Sequence, residues 1–156
     1  IQQIRHELDD KYDFATLASL ARLNRTDELI SVNDEKFLAP ESMIDAVTSS
    51  VGRTLSVGGM AYCVFNSLAQ SYAASLKGLE KLTGETFDTL NIIGGGSKNA
   101  LLNELTKTST GKRVVTGPTE GTAIGNLIMQ AIGRKEIKDV ASAREIIARS
   151  FDVNEV

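Results

Sequence analysis

Residues 91–99 read Asn91-Ile92-Ile93-Gly94-Gly95-Gly96-Ser97-Lys98-Asn99, and residues 100–105 continue with Ala100-Leu101-Leu102-Asn103-Glu104-Leu105. The short apolar run predicts a buried strand, the three glycines predict a turn, and the spacing of the leucines predicts a helix. Glycine lets the backbone approach a ligand closely, and the first N–H groups of a helix attract phosphate. The order of strand, glycine loop and helix therefore predicts an α/β fold and suggests a nucleotide site.

The glycine loop does not match the stricter nucleotide-binding motifs. It lacks the spacing Gly-x-x-x-x-Gly-Lys-Ser/Thr of a P-loop, and Asn99 stands where a dinucleotide fingerprint has its third glycine. The residues alone leave two interpretations open, a ligand loop made by Gly94, Gly95 and Gly96 or a tight connection whose glycines only permit the turn. Lys98 could hold a phosphate or lie in solvent. The Asn99 amide could bind a base edge or the backbone of its own loop.

The composition excludes several classes of protein. The net charge is −3 and the Lys and Arg residues are scattered, so neither a nucleic-acid surface nor a basic membrane patch is visible. Apolar residues make up 42% of the chain, and no apolar run approaches the length of a membrane span. The single Cys63 cannot form an internal disulfide, and its apolar neighbours predict a buried thiol in a reducing compartment. We therefore expect a soluble, cytoplasmic protein.

The length of 156 residues lies in the usual range for one domain or part of one. The chain begins at Ile1 without a methionine, and Ile1, Ile4 and Leu8 already follow a helical pattern. A natural domain tends to begin with an exposed polar segment, so this start predicts a fragment that is incomplete on its N-terminal side.

The hydrophobic periodicity predicts a helix-rich α/β unit with two or three strands, a sheet too narrow to be complete. The first two helices are expected at residues 1–9 and 14–23. A third should have Pro40 in its first turn and end near residue 53, and a long fourth should run from Val57 to Gly84. Two further helices are expected at residues 100–109 and 120–132. A last helix should begin at a capping box formed by Ser142 and Glu145 and end at about residue 149. Strands are expected at residues 29–32, 88–93 and 113–116.

Candidate catalytic and metal-binding residues are scarce. His6 is the only histidine, which excludes a site of several histidines, and Cys63 has no basic neighbour in the sequence to activate it. The loop carboxylates are expected to be solvated, and Glu120 is expected to stabilise the start of a helix. These loop carboxylates are Asp9, Asp10, Asp34, Glu35 and Asp152. We therefore predict no catalytic residue and no metal ligand, and half of a nucleotide site without chemistry of its own.

Several segments together closely resemble the C-terminal domain of rhamnulokinases, a branch of the FGGY family of sugar kinases. The resemblance extends over nearly the whole chain, through residues 37–43, 66–69, 92–103, 116–126 and 143–151. A glycine pair before a helix and a later Pro-x-Glu are common to FGGY kinases. The Gly117-Pro118-Thr119-Glu120 segment with Ile124-Gly125-Asn126, and the Arg144-Glu145-Ile146-Ile147 ending, indicate the rhamnulose branch.

This resemblance implies an actin-like, ribonuclease H-like ATPase fold, with the nucleotide bound between two domains. It implies transfer of the ATP γ-phosphoryl group, with Mg²⁺, to the 1-hydroxyl of L-rhamnulose. Gly95 matches the family glycine that contacts the nucleotide, Gly94 and Gly96 flank it, and Asn99 matches the position that faces the adenosine end. The family's catalytic aspartate, phosphate loop and sugar-contacting residues lie before the position of Ile1. Residues 1–156 are thus expected to be an incomplete C-terminal domain that is inactive without the remainder of its own kinase chain. The Mg²⁺ ion is expected to be bound mainly by that missing N-terminal part.

Two other functions remain open from the sequence. An FGGY kinase could act on another ketose, such as xylulose, fuculose or ribulose. A non-catalytic ATP-binding or regulatory module could share the same fold and use its helices to bind a partner.

Overall fold

The computed structural model describes residues 1–151 and 153–156 and divides into two compact units. The helical unit comprises Ile1–Thr86 and Asn99–Gly111, and the sheet unit comprises Phe87–Lys98 and Lys112–Val156. The expectation for Asp152 lies outside the described residues. The assignment of residues 1–156 to one C-terminal domain stays a prediction.

The secondary structure is helix-rich with one small sheet, as the sequence predicts. The helices are α1 Gln2–Glu7, α2 Phe14–Leu23, α3 Met43–Val51, α4 Val57–Thr83, α5 Ala100–Thr110, α6 Gly121–Gly133 and α7 Val140–Ser150. The strands are β1 Thr89–Ile92, β2 Arg113–Thr116 and β3 Asn154–Glu155, and two 3₁₀ turns span Glu35–Phe37 and Gly95–Lys98.

The core of the helical unit forms around the long helix α4. One buried cluster joins Ala61 and Phe65 of α4 to Ala21 of α2 and Leu101 of α5. A second buried cluster contains Ile4, Val47, Met60 and Val64. The first half of α4 therefore buries apolar residues on two faces, whereas Tyr72 and Leu79, which the helical spacing predicts to be buried with Ala61 and Phe65, are exposed.

The predicted strand at residues 29–32 is wrong, because the structure shows no regular element there. The backbone N–H of Ile30 donates to Ser67 Oγ of α4 at 2.9 Å, so a side chain takes the donor that a neighbouring strand would have used. The predicted helical position of Pro40 is also wrong. Helix α3 begins at Met43, and Ser42 Oγ accepts a hydrogen bond from Asp45 N at 3.0 Å as its N-cap.

The sheet unit contains a mixed sheet of three strands in the order β1-β2-β3. Strand β1 pairs with β2 in parallel, with Ile92 opposite Thr116, and β2 pairs with β3 antiparallel. The predicted capping box at Ser142 is wrong. Helix α7 begins earlier, at Val140, and Asp139 Oδ1 accepts hydrogen bonds from Ser142 N at 2.8 Å and Ser142 Oγ at 2.9 Å. Ser142 therefore donates to the cap instead of forming it.

Candidate functional site

Two loops of the sheet unit meet at one edge of the sheet. They follow the carboxyl ends of the parallel strands β1 and β2, at residues 93–98 and 117–120. Gly117 N donates to Ile92 O at 2.8 Å, and Gly94 N donates to Pro118 O at 3.3 Å. The carboxyl edge of parallel strands is the usual place for a ligand in an open α/β sheet. The glycine loop of the sequence therefore lies where that rule expects a binding site.

The three glycines of the loop differ in what the chain itself requires of them. Gly94 has φ +80°, a conformation that favours glycine, so its identity has a purely structural explanation. Gly95 and Gly96 have no positive φ, and a Cβ atom on either would meet no atom of the chain within 4 Å. Both are exposed at the start of the 3₁₀ turn. Neither backbone strain nor packing within this chain accounts for glycine at these two positions.

Asn99 follows the loop and caps helix α5. Its Oδ1 accepts a hydrogen bond from Leu102 N at 3.1 Å, so this oxygen binds the backbone of helix α5 and not that of the glycine loop. The structure places Gly94, Gly95 and Gly96 in the sheet unit and Asn99 in the helical unit. Lys98, at the end of the 3₁₀ turn, is exposed to solvent, which is one of the two positions that the sequence allowed for it.

A cleft of about 380 Å³ lies in the sheet unit between the same two loops. It is lined by Ser97, Lys98, Thr116, Gly117, Pro118, Thr119, Glu120, Phe151 and Asn154. The cleft combines a lysine, a carboxylate and a partly exposed aromatic ring. Gly94, Gly95 and Gly96 are not among its lining residues. The sequence did not predict Phe151 or Asn154 as site residues, because only the return of the chain to β3 brings them to this edge.

The residues predicted to lack a catalytic role have ordinary structural surroundings. His6 is exposed, and its Nδ1 lies 3.1 Å from Asp10 Oδ2. Cys63 is fully buried, and burial raises the pKa of its thiol, which disfavours the reactive thiolate. Across residues 1–151 and 153–156, no group of three or more His, Cys, Asp or Glu side chains is placed to hold a metal ion.

Within the described part of the chain, no helix combines the length and apolarity needed to cross a membrane.

Comparison with known proteins identifies the family. Residues 1–134 match the C-terminal domain of the FGGY family of carbohydrate kinases. The chain belongs to this family, and its helix-rich architecture with a small mixed sheet is consistent with that domain of the actin-like ATPase fold.

The relatives found by sequence are named as rhamnulokinases. The chain is 40% identical to that of Oceanobacillus iheyensis, over 98% of this chain and 34% of the relative. It is 38% identical to that of Bacillus subtilis, over 98% of this chain and 33% of the relative. It is 39% identical to that of Lactiplantibacillus plantarum, over 97% of this chain and 32% of the relative. The chain thus spans about a third of the length of the curated relatives it matches.

Proposed function

We propose that this chain is the nucleotide-binding C-terminal part of a kinase that transfers the ATP γ-phosphoryl group to L-rhamnulose, giving L-rhamnulose 1-phosphate. Membership of the FGGY family supports ATP-dependent phosphorylation of a sugar. The names of the relatives, which are 37–40% identical to this chain, support rhamnulose as that sugar. The protein would act in the cytoplasm on a small-molecule substrate, together with the remainder of its own kinase chain.

The observation that carries the proposal is the open space at Gly95 and Gly96. A Cβ atom added at either glycine would have no atom within 4 Å beyond its chain neighbours, so the space beside the backbone is open to a molecule outside the chain. We assign the closest approach to the nucleotide to Gly95, with Gly94 and Gly96 beside it. Gly94 sets the turn through its positive φ, which presents the following N–H groups toward the ligand. The amide nitrogen of Asn99 would meet the adenosine end.

The contribution of this chain to phosphoryl transfer would be positioning. ATP supplies the transferred group and needs donors that hold its phosphates in line with the sugar hydroxyl. A 3₁₀ turn uses N–H groups from its third residue onward, so those of Gly95 and Gly96 have no partner within the turn and suit this purpose. Mg²⁺ beside a nucleotide is usually held by one or two carboxylates together with the phosphates, and we assign these carboxylates mainly to the rest of the kinase. We assign no catalytic residue to residues 1–156.

The test is the Gly95→Val variant of the full-length kinase, with Gly78→Val as the matched control. Both positions have open space for a Cβ atom and no positive φ, but Gly78 lies within helix α4 of the helical unit and is not part of the glycine loop. We expect the Kd for ATP to rise by about tenfold or more in Gly95→Val and to stay unchanged in Gly78→Val, with both proteins folded. Unchanged ATP affinity in Gly95→Val would reduce the loop to a structural turn.

The substrate is tested separately by steady-state assays of the full-length protein on a panel of ketoses. L-rhamnulose should give the highest kcat/KM, and a higher value for xylulose, fuculose or ribulose would reassign the sugar. Absence of phosphorylation with every ketose, together with ATP binding, would favour a non-catalytic ATP-binding module. Residues 1–156 alone should show no ATP-dependent phosphorylation of L-rhamnulose, and turnover by them would contradict the division of roles.

A further inference from the structure

A cleft of about 690 Å³ lies in the helical unit, between residues 29–34 and one face of helix α4. Its volume is in the range of pockets that hold small molecules, about 300–1,000 Å³. Six of the residues that line it are polar, namely Ser31, Asn33, Asp34, Ser67, Gln70 and Ser71. None of them belongs to the proposed nucleotide contacts, so this polar lining needs an explanation of its own.

Hydrogen bonds between the two walls hold the cleft in shape. Ile30 N donates to Ser67 Oγ at 2.9 Å, and Ser67 is only 3% exposed. One turn further along α4, Ser71 Oγ accepts a hydrogen bond from Asn33 Nδ2 at 3.1 Å. The lining is therefore an arrangement of polar groups that exists before any ligand binds, as is usual for small-molecule sites.

Helix α5 separates the cleft from the proposed nucleotide contact in the helical unit. Gln70 Nε2, in the lining, donates to Ser109 Oγ at 3.2 Å. Asn99 caps the first turn of α5, and Ser109 lies about 15 Å further along that helix at about 1.5 Å per residue. The resemblance to FGGY kinases implies that the sugar-contacting residues of the active site precede Ile1. The cleft is therefore separate from both of these contacts.

The charges of the lining indicate a neutral ligand. Among the described residues, no Lys, Arg or His lines the cleft, so a phosphate or carboxylate group would meet no cation there. The one carboxylate of the lining, that of Asp34, already lies 3.6 Å from Lys36 Nζ and accepts a hydrogen bond from Lys36 N at 3.2 Å. A cationic ligand would therefore have to compete with Lys36.

The other polar groups of the lining suit a molecule with several hydroxyl groups. Serine hydroxyls and the Gln70 amide both donate and accept hydrogen bonds, as each hydroxyl of a sugar does. Ser31 N and Val32 N, in the lining segment, donate to no atom of the described residues. The remaining lining residues are apolar and can contact the C–H groups of a sugar. They are Leu29, Ile30, Val32 and Ala74.

We propose that the cleft between residues 29–34 and α4 is a second binding site, which takes a neutral sugar or polyol and does not phosphorylate it. The site is made only of residues of the helical unit. The inference goes beyond the proposed function and does not rest on it, because binding in the cleft requires neither ATP nor turnover.

The experiment is a ligand-detected NMR titration of the full-length kinase. The neutral probes are D-glucitol and methyl α-L-rhamnopyranoside, which are not ketoses, and the charged control is D-glucitol 6-phosphate. At least one neutral probe should bind saturably with a Kd of about 10 mM or lower, and D-glucitol 6-phosphate should bind at least about tenfold more weakly than D-glucitol. Absence of saturable binding by both neutral probes overturns the proposal, as it would if another part of the kinase filled the cleft. Tighter binding of the phosphate ester also overturns it.

Two variants and a matched control assign the binding to the cleft. Ser71 and Ser75 both lie on α4, but Ser75 is not in the lining. Ser71→Ala should raise the Kd of the neutral probe at least about fivefold, and Ser75→Ala should leave it unchanged. Ser71→Ala also removes the hydrogen-bond acceptor of Asn33, so Ala74→Leu serves as a second variant that fills the cleft from an exposed position and should weaken binding at least as much.

Melting temperatures establish that each variant is folded. An affinity equal to that of the parent in Ala74→Leu, or equal losses of affinity in Ser71→Ala and Ser75→Ala, overturns the proposal. The kinase assay with L-rhamnulose on the same preparations reports failure of the proposed function separately from failure of the second site.

Discussion

At the scale of single residues, the sequence predicted the glycine loop but could not distinguish the roles of its three glycines. The three adjacent glycines of the loop are equivalent in the sequence. In the structure Gly94 is required by its positive φ, whereas Gly95 and Gly96 are required by nothing within the chain. Such a distinction depends on backbone dihedral angles and on neighbouring atoms, and neither can be derived from a run of glycines.

This difference predicts the stability of two variants measured without nucleotide. Gly94→Ala places a side chain in the left-handed region, which costs about 1–2 kcal/mol, although its nearest new neighbour, Thr119 O, is 3.9 Å away. Gly96→Ala meets no atom within 4 Å and has no positive φ, so its free energy of unfolding should change little. Urea unfolding of the full-length protein measures both, and equal stabilities would show that the backbone strain at Gly94 is negligible.

Glu7 provides a second residue-scale prediction, which concerns pH. Its carboxylate accepts hydrogen bonds from Met43 N at 2.7 Å, Ile44 N at 3.0 Å and Ser42 Oγ at 2.9 Å, and so caps helix α3 from a distant part of the chain. Partial burial raises the pKa of Glu7, but these hydrogen bonds together lower it by more, so it lies below the usual glutamate value. A lowered pKa in the folded state stabilises the protein above the unfolded pKa, about 4.3, and this stabilisation disappears as pH falls through the folded pKa.

Glu7→Gln should therefore be less stable than the parent at neutral pH and should lose less stability below about pH 4.3. Thermal unfolding as a function of pH measures this difference in slope. The exposed Glu41→Gln variant controls for the loss of one charge. Parallel curves for Glu7→Gln and the parent would contradict the capping role.

At the scale of elements, periodicity predicted nearly all helices, and the errors lie at boundaries set by contacts distant in sequence. Helix α3 starts at Met43 because Ser42 and Glu7 supply acceptors there, and Glu7 is remote in the sequence. Residues 29–32 have strand-like composition, but Ile30 N donates its hydrogen bond to Ser67 Oγ of helix α4 and not to a neighbouring strand. Hydrophobic spacing reports which face of an element is buried, whereas its ends depend on which acceptors the fold brings to its free N–H groups.

The start of α7 offers a test of the corrected cap. Asp139 Oδ1 accepts hydrogen bonds from the backbone N–H and the hydroxyl of Ser142, and these hydrogen bonds lower the pKa of the Asp139 carboxyl. Asp139→Ala removes the acceptor and should lower the melting temperature more than Ser142→Ala, which keeps the backbone donor. A capping box centred on Ser142 would give the reverse order. Thermal unfolding of the two variants decides between the two caps.

Two glycines of helix α4 form a further matched pair. A Cβ atom at Gly58 would lie 2.6 Å from Leu20 O and 2.7 Å from Asn24 Nδ2, so α2 packs on α4 only because this side chain is absent. Gly58→Ala should destabilise the protein by about 1–3 kcal/mol through overpacking. Gly78→Ala has open space and should stabilise it by about 0.5–1 kcal/mol, because alanine favours a helix. Chemical unfolding that finds the two variants alike would contradict the close approach of α2.

At the scale of the whole molecule, buried apolar residues are distributed unevenly between the two units. The helical unit contains both large buried clusters, whereas the sheet unit contains the loops of the candidate site. Residues that contact ligands commonly lie on loops that a rigid scaffold positions. The sheet unit therefore contains the glycine loop, and the helical unit contains Asn99 and most of the buried apolar core.

Native-state hydrogen exchange of the full-length protein tests this distribution. Backbone amides around Ala61–Phe65 in α4 should exchange most slowly, because both buried clusters include this segment. Amides of α7, in which only Ala143 is buried, should exchange faster. Slower exchange in α7 than in the first half of α4 would contradict the assignment of the stable core.

The sequence by itself determined the helix-rich α/β class, the glycine loop between a strand and a helix, and the resemblance to FGGY kinases. These features follow from local periodicity and from motifs, which depend on residues close together in the chain. Only the tertiary structure decided that β1 and β2 are parallel. It also decided that Phe151 and Asn154 line the cleft beside the carboxyl ends of these strands. Finally, it showed that a Cβ atom at Gly95 or Gly96 would face open space. Each of these depends on residues far apart in sequence, whose encounter is fixed by packing and hydrogen bonding across the folded chain and not by local preference.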